Sequence, residues 1–201
     1  MTARTPTRER ILNAAERIHS KHGVSELTLR RVAKAVRVTP MAIYKHFKDK
    51  NALLDGLAER GFGIWETYLE VAVSKRTPMT RLRAVLDQAR EFALEHPRYF
   101  ELMFLAKRGS IPNAPASLRE TPSPSFTKVI ADVRGMIDAG ELRRGDPGET
   151  ILLLWATAHG LISLHFTGRF GGSSTAFRGI YDRAMASLFD ALREDAGAAS
   201  R

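Results

Sequence analysis

Apolar residues recur along this chain at every third or fourth position, and the strict alternation of a half-buried strand is nearly absent. From about Arg8 to Lys21, Ile11, Leu12, Ala15 and Ile18 share one side, and Gly23 suits the position just past a helix end. A second helix opens at Thr28, a capping residue, and turns Leu29, Val32, Ala33 and Val36 inward. After a short turn, Thr39-Pro40 starts a third, with a hydroxyl at the cap and a proline at the first helical position, where no N–H is needed. The pattern ends this helix at Phe47 and Lys48, with Ile43 and Phe47 facing the core.

A longer helix spans Lys50 to Val73 on Leu53, Leu54, Leu57, Phe62, Trp65 and Leu69, and Gly61 and Gly63 offer a bend in its middle. Thr80 to Glu95 reads as another, punctuated by His96-Pro97 before the aromatic segment Tyr99 to Leu105. The stretch GSIPNAPASLRETPSPS, residues 109–125, reads as a long mobile loop on its prolines and serines. Helical spacing resumes from Phe126 to Ala139, stops at Gly140, restarts at the Asp146-Pro147 cap pair and continues to about Phe166. GRFGGSS interrupts it, and Thr175 to Arg193 precedes a small polar tail. These segments predict an all-α protein of about nine helices.

At 201 residues, 44% hydrophobic and 26% charged, the chain is able to bury a core and stay soluble. It has no cysteine, which excludes a disulfide framework and thiolate chemistry. MTARTPTRERIL lacks the apolar region of a secretory signal. The apolar run Ile151 to Leu164 is broken by Thr157, His159, Gly160 and Ser163, and falls short of the roughly 20 residues a bilayer span requires. The expectation is a cytoplasmic protein with no membrane partner.

Charge changes the picture more. Of the net +9, most lies early: residues 1–50 hold 12 Lys/Arg against 4 Asp/Glu, and residues 51–201 hold 19 against 18. That concentration is the footprint of a polyanion-binding module, or else a solvated basic face without a partner. Two short helices joined by a tight turn make the outline of a helix-turn-helix, whose second helix enters the major groove. Pro40, Met41 and Ala42 suit contact with thymine methyls, and Arg30 suits a guanine edge. Tyr44 and His46 are able to donate to phosphate oxygens, or else to complete a small core; Lys45 and Lys50 neutralise phosphates.

The stretch LTLRRVAKAVRVTPMAIYKHFKDKNALLDGLA, residues 27–58, closely resembles the N-terminal domain of the tetracycline-repressor (TetR) family of bacterial transcription regulators. The Thr-x-Arg start of helix 2, the Ile-Tyr-x-His-Phe end of helix 3 and the Lys-x-x-Leu-Leu entry to helix 4 carry the resemblance, and helix 1 matches too. By that resemblance Thr28, Tyr44, His46 and Lys50 are phosphate contacts, and Arg30, Pro40, Met41 and Lys45 candidates for base contact. Thr39, at the cap of helix 3, belongs to the same set. One departure is Arg37, at the turn position where the family usually has glycine: the turn is strained there, or Arg37 adds a phosphate contact.

The resemblance implies a division into a DNA-binding domain, residues 1–49, and a larger helical domain, residues 50–201, that binds an effector and dimerises. LWATAHGLISL, residues 154–164, also resembles the Trp-x-x-x-His-Gly segment of a WHG-type C-terminal domain in one branch of these regulators. Trp65, Tyr68, Phe92, Phe100, Met103, Phe104, Phe126, Met136, Trp155 and His159 are candidates for a largely apolar effector pocket or for plain core. His159-Gly160 is alternatively a helix-packing pair. Leu152, Leu161, Leu164, Met185, Leu188, Phe189 and Leu192 face either the core or a twin helix pair across a two-fold homodimer interface.

No phosphate-cradling glycine loop, HExxH or Gly-x-Ser-x-Gly is present, and the histidines lack metal spacing, so neither enzyme nor metal site nor cofactor is expected. A non-specific architectural DNA binder would leave the near-neutral remainder without a task. The sequence therefore reads as a dimeric, ligand-responsive repressor of a palindromic double-stranded DNA operator.

Overall fold

The structure, a computed structural model, describes residues 7–105 and 124–193. Among these residues the chain forms nine α-helices, one π-helical turn and no strand. The first six are α1 (Thr7–His22), α2 (Leu29–Val36), α3 (Pro40–Tyr44), α4 (Lys50–Val73), α5 (Pro78–Glu95) and α6 (Pro97–Phe100). The π-helical turn Glu101–Leu105 continues α6; α7 (Pro124–Asp138), α8 (Pro147–Phe166) and α9 (Ser174–Ala191) follow. The all-α class and the helix count agree with the periodicity.

Most helix starts are side-chain caps. Thr28, Thr39, Asp146 and Ser173 each accept a hydrogen bond from the backbone N–H three residues on. Helix α5 begins at Pro78, earlier than the expected Thr80, because Thr77 and Thr80 exchange side-chain-to-backbone hydrogen bonds of 3.1 and 3.2 Å across its first turn. Helix α3 stops at Tyr44, short of the expected Phe47 and Lys48; the N–H groups of His46 and Phe47 both turn back to the Ile43 carbonyl. Helix α7 begins at Pro124, inside the expected 109–125 loop. The rest of that loop through residue 123, and the polar tail beyond Arg193, lie outside the described residues.

The described residues form two compact units. The first holds residues 7–65 and 96–105, so the unit containing α1 to α3 does not end at residue 49. Its core is Ile11, Leu12, Leu27, Val32, Ile43, Phe47, Leu53 and Leu57, each buried side chain contributing roughly 1.5–3 kcal/mol. Two polar ties explain why it extends. Arg60 of α4 bridges Glu9 and Glu16 of α1 at 2.5 and 2.8 Å. His19, buried on α1 where Ile18 was expected, places Nε2 3.1 Å from the Arg98 carbonyl. Gly61 is also explained here. A Cβ at that position would lie 2.8 Å from the Tyr99 ring and 2.5 Å from the Met103 sulfur, so the glycine permits close approach rather than a bend. Helix α4 runs unbroken through both Gly61 and Gly63.

In the second unit, residues 66–95 and 124–193, α5 packs on α7 and α8, and α8 packs on α7 and α9. Leu82, Leu86, Phe92, Val133, Met136, Leu154, Ile162, Phe177 and Tyr181 fill its core. Polar ties join α5 to its neighbours. Arg81 forks onto Asp132, Glu91 pairs with Arg178 and Arg90, Arg90 reaches Asp182, and the Tyr181 hydroxyl donates to the Leu86 carbonyl at 2.7 Å. The hydrogen bonds from Arg178 and Arg90 hold the Glu91 carboxyl below the usual carboxylate range. No described helix is long and apolar enough to cross a membrane.

Candidate nucleic-acid interface

Helices α2 and α3 pack together across a turn built on Arg37. Arg37 caps α2 in the left-handed region at φ 57, ψ 49, and among the described residues no other non-glycine has positive φ. Its N–H turns back to the carbonyls of Ala33 and Lys34, and Val38 N–H reaches the Ala33 carbonyl at 3.0 Å. The arginine thus adopts the backbone that glycine would adopt freely, at a cost of about 1–2 kcal/mol.

That turn aims α3 outward. Ile43 and Phe47 face the core and are fully covered, whereas Met41 is 70% and Tyr44 52% exposed. Thr39, Pro40, Lys45 and His46 are exposed as well. Tyr44 and His46 therefore do not complete the small core, and the thioether of Met41 is displayed on a helix that buries Ile43 alone. Thr28 and Arg30 are exposed at the start of α2. Lys50 is half-buried at the start of α4, and its ammonium donates to the Val24 carbonyl at 2.7 Å, which fixes the α1–α2 connection and leaves two further donors on the same nitrogen. Lys34, absent from the expected contacts, is exposed on α2 with Arg30, and Arg37 is exposed just past its end.

The ten expected effector-pocket residues divide between the units. Trp65, Phe100 and Met103 are buried in the first, and Phe104 meets Phe62 edge-on at 6.0 Å and Phe100 at 5.2 Å. In the second, Phe92 and Met136 are core residues and Phe126 is half-buried. Tyr68 meets Phe92 edge-on at 5.5 Å and donates to Glu95 at 2.5 Å; burial and the adjacent carboxylate push its phenol up to about 12. The rings of Trp155 and His159 lie 4.3 Å apart, and burial pushes the His159 imidazole down to about 4. A half-open cavity of about 220 Å³ in this unit is lined by Arg83, Leu86, Asp87, Asp182, Met185, Ala186 and Phe189. It includes none of the ten and is smaller than the usual ligand pocket of about 300–1,000 Å³.

The expected interface residues also divide. Leu152 is 64% exposed and Leu164 is exposed with it, whereas Leu161, Leu188 and Leu192 are half-buried. Met185 and Phe189 are covered by the chain's own core, with the Arg83 guanidinium 4.1 Å above the Phe189 ring. Gly160 is exposed with open space around its α-carbon, so within the chain it is not the close-packing partner suggested for His159. Leu152, Ala156, Gly160 and Leu164, four apart, form one exposed stripe along α8. Among the described residues no group of histidines and carboxylates is placed to hold a metal ion.

Comparison with known proteins places this geometry. Residues 11–57 match the family described as bacterial regulatory proteins, tetR family. Residues 82–192 match the tetracyclin repressor-like C-terminal domain, a description that does not name the WHG-type branch. The HTH-type transcriptional regulator AcrR of Shigella flexneri is 39% identical over 99 residues, covering 48% of this chain and 46% of that protein, so the match spans under half the length of that relative. A solved structure of a protein of unknown function from Rhodococcus sp. RHA1 is 30% identical and aligns over 95% of this chain and 97% of its own with a TM-score of 0.76. A bacterial regulatory protein in the tetR family from Rhodococcus RHA1 shares the fold with a TM-score of 0.68 at 19% identity, over 96% of this chain and 100% of its own.

Proposed function

Because the chain belongs to the tetR family of bacterial regulatory proteins, a family of transcription regulators and not of enzymes, we propose that it is a ligand-responsive repressor that binds a palindromic operator as a homodimer. The observation that carries this reading is the solvent-facing side of α3, where Met41, Tyr44, Lys45 and His46 surround a buried Ile43. A five-residue helix held at its start by Thr39 and Pro40 presents its first turn to base edges. Pro40 and Met41 meet thymine methyls, and Arg30 and Lys45 reach acceptor edges. Thr28, Tyr44, His46 and the remaining donors of Lys50 hold phosphates.

Residues 1–49 act as the reading head, and residues 50–201 bind the effector and a second copy. The Leu152, Ala156, Gly160, Leu164 stripe, flanked by Leu161, Leu188 and Leu192, supports α8 and α9 as the two-fold interface, since large exposed apolar residues in a row mark an association surface. Two heads then meet major grooves about one DNA turn apart. A small, largely apolar effector shifts DNA affinity only by its differential affinity for the two states of the dimer.

Tyr44→Phe tests the head. Loss of one hydrogen bond to a charged oxygen in each protomer, about 1.5 kcal/mol apiece, weakens binding of the dimer to both half-sites roughly a hundredfold. The melting temperature stays unchanged, because the hydroxyl lies on an exposed ring. A melting temperature that falls in step with affinity would make Tyr44 a structural residue.

A further inference from the structure

We propose that the half-open cavity between α5 and α9 binds a small zwitterion of the apolar α-amino acid class, with its carboxylate on Arg83, its ammonium on Asp87 and its side chain on Leu86, Met185 and Phe189. None of the ten residues expected for an effector pocket belongs to this cavity. The proposal deepens the ligand-responsive reading of the chain and rests on it only for the consequence of binding.

Charge pairing around the cavity singles out two groups. On α5, Arg81 is held by Asp132, and Arg90 donates to both Glu91 and Asp182. Arg178 of α9 is held by Glu91. Among the described residues, Arg83 and Asp87 have no such hydrogen-bonded partner. The Arg83 guanidinium lies 4.1 Å over the Phe189 ring, and the Asp87 carboxylate stands 3.7 Å from Arg90 Nη1, beyond hydrogen-bond reach. One turn apart on α5, the two side chains start from β-carbons roughly 5–6 Å apart, so a single small molecule reaches both. Burial pushes the Asp87 carboxyl up, and the nearby Arg90 does not fully offset it, so an added ammonium is favoured there.

Shape and charge then restrict the ligand. Leu86, Met185 and Phe189 are buried and make an apolar floor beneath two opposite charges. A lone amine would sit beside Arg83, and a lone carboxylate beside Asp87 and Asp182, each against a like charge. A zwitterion meets neither penalty. At about 220 Å³, below the roughly 300–1,000 Å³ of the usual ligand pocket, the cavity suits a molecule the size of one amino acid.

The test is isothermal titration calorimetry of the full chain, without DNA, against L-leucine, L-methionine and L-phenylalanine, with a thermal melt of each variant. At least one of the three is expected to bind with a Kd of about 0.1 mM or tighter, within the affinity open to a ligand of that size. Its decarboxylated and deaminated analogues each bind about tenfold more weakly, the loss of one charge-assisted contact. Arg83→Gln weakens the amino acid by a similar factor but not the decarboxylated amine. Asp87→Asn weakens the amino acid but not the deaminated acid. Ala186→Leu, which fills the cavity from an exposed position without touching its charges, abolishes binding at an unchanged melting temperature. Failure of all three amino acids to bind overturns the proposal. So does binding that survives Ala186→Leu or both charge variants. Operator binding stands or falls separately, because the titration contains no DNA.

Discussion

Arg81→Ala lowers the stability of the second unit by about 3–5 kcal/mol, the cost of breaking a covered ion pair. The guanidinium forks onto Asp132 through Nε and Nη2, both at 2.6 Å, joining α5 to α7. Its Nη1 also donates to the carbonyls of Lys75 and Arg76 at 3.0 and 3.1 Å, which closes the turn after α4. The two side chains are only 12% and 11% exposed, so water does not replace the lost partner. The hydrogen bonds to Asp132 raise the guanidinium pKa. Truncation therefore leaves a covered carboxylate and two carbonyls without their donor. For a unit of this size 1 kcal/mol moves the melting temperature by about 4–8 °C, so the expected fall is at least about 12 °C. The double variant Arg81→Met with Asp132→Leu recovers most of it, since apolar side chains of similar volume remove both desolvation costs. A single-variant loss below about 1 kcal/mol in urea unfolding would place the pair among exposed salt bridges and contradict this description.

Acid destabilises the second unit through His159 before most carboxylates titrate. Packed against Trp155, the imidazole titrates at about 4 in the folded chain, against an ordinary value of 6.5. Burial lowers it by disfavouring the charged form. Between those values the unfolded chain binds the extra proton and the folded chain does not, so stability falls as pH falls. The full contribution is present above about pH 6.5, and on the order of 3 kcal/mol is lost by pH 4, about 2 kcal/mol of it by pH 5. Urea melts at pH 7 and pH 5, wild type minus His159→Gln, isolate this group from the carboxylates. An equal pH dependence in both proteins would mean that His159 is not held neutral.

Local signals were legible where the deciding contact lies within three or four residues. Thr28, Thr39 and Asp146 announce α2, α3 and α8 by their caps, and Thr77-Pro78 carries the same signal for α5, ahead of the Thr80 start that periodicity predicts. The buried face of α2, Leu29, Val32, Ala33 and Val36, followed from a 3.6-residue period. Contacts across long sequence distances were not legible. His19 rather than Ile18 is buried because the Arg98 carbonyl lies beside it, and Gly61 is small because Tyr99 and Met103 approach it. Periodicity also cannot say which apolar face meets the chain's own core, so Met185 and Phe189 on α9 are not told from Leu152 and Leu164 on α8 until burial separates them. In the candidate site, residue types and spacing named the groups on α3. What the fold adds is their outward direction, the Val24 tie on Lys50 and the left-handed turn at Arg37.

The central claim is that this chain reads a specific operator through α3. Anisotropy titration of the purified protein against duplexes tiling the DNA beside its own gene, with scrambled duplex as reference at fixed salt, tests it most directly. The expected result is one palindromic fragment bound at least about 10³-fold more tightly than the scrambled control. Equal affinity for every duplex, with only a steep salt dependence, would contradict it.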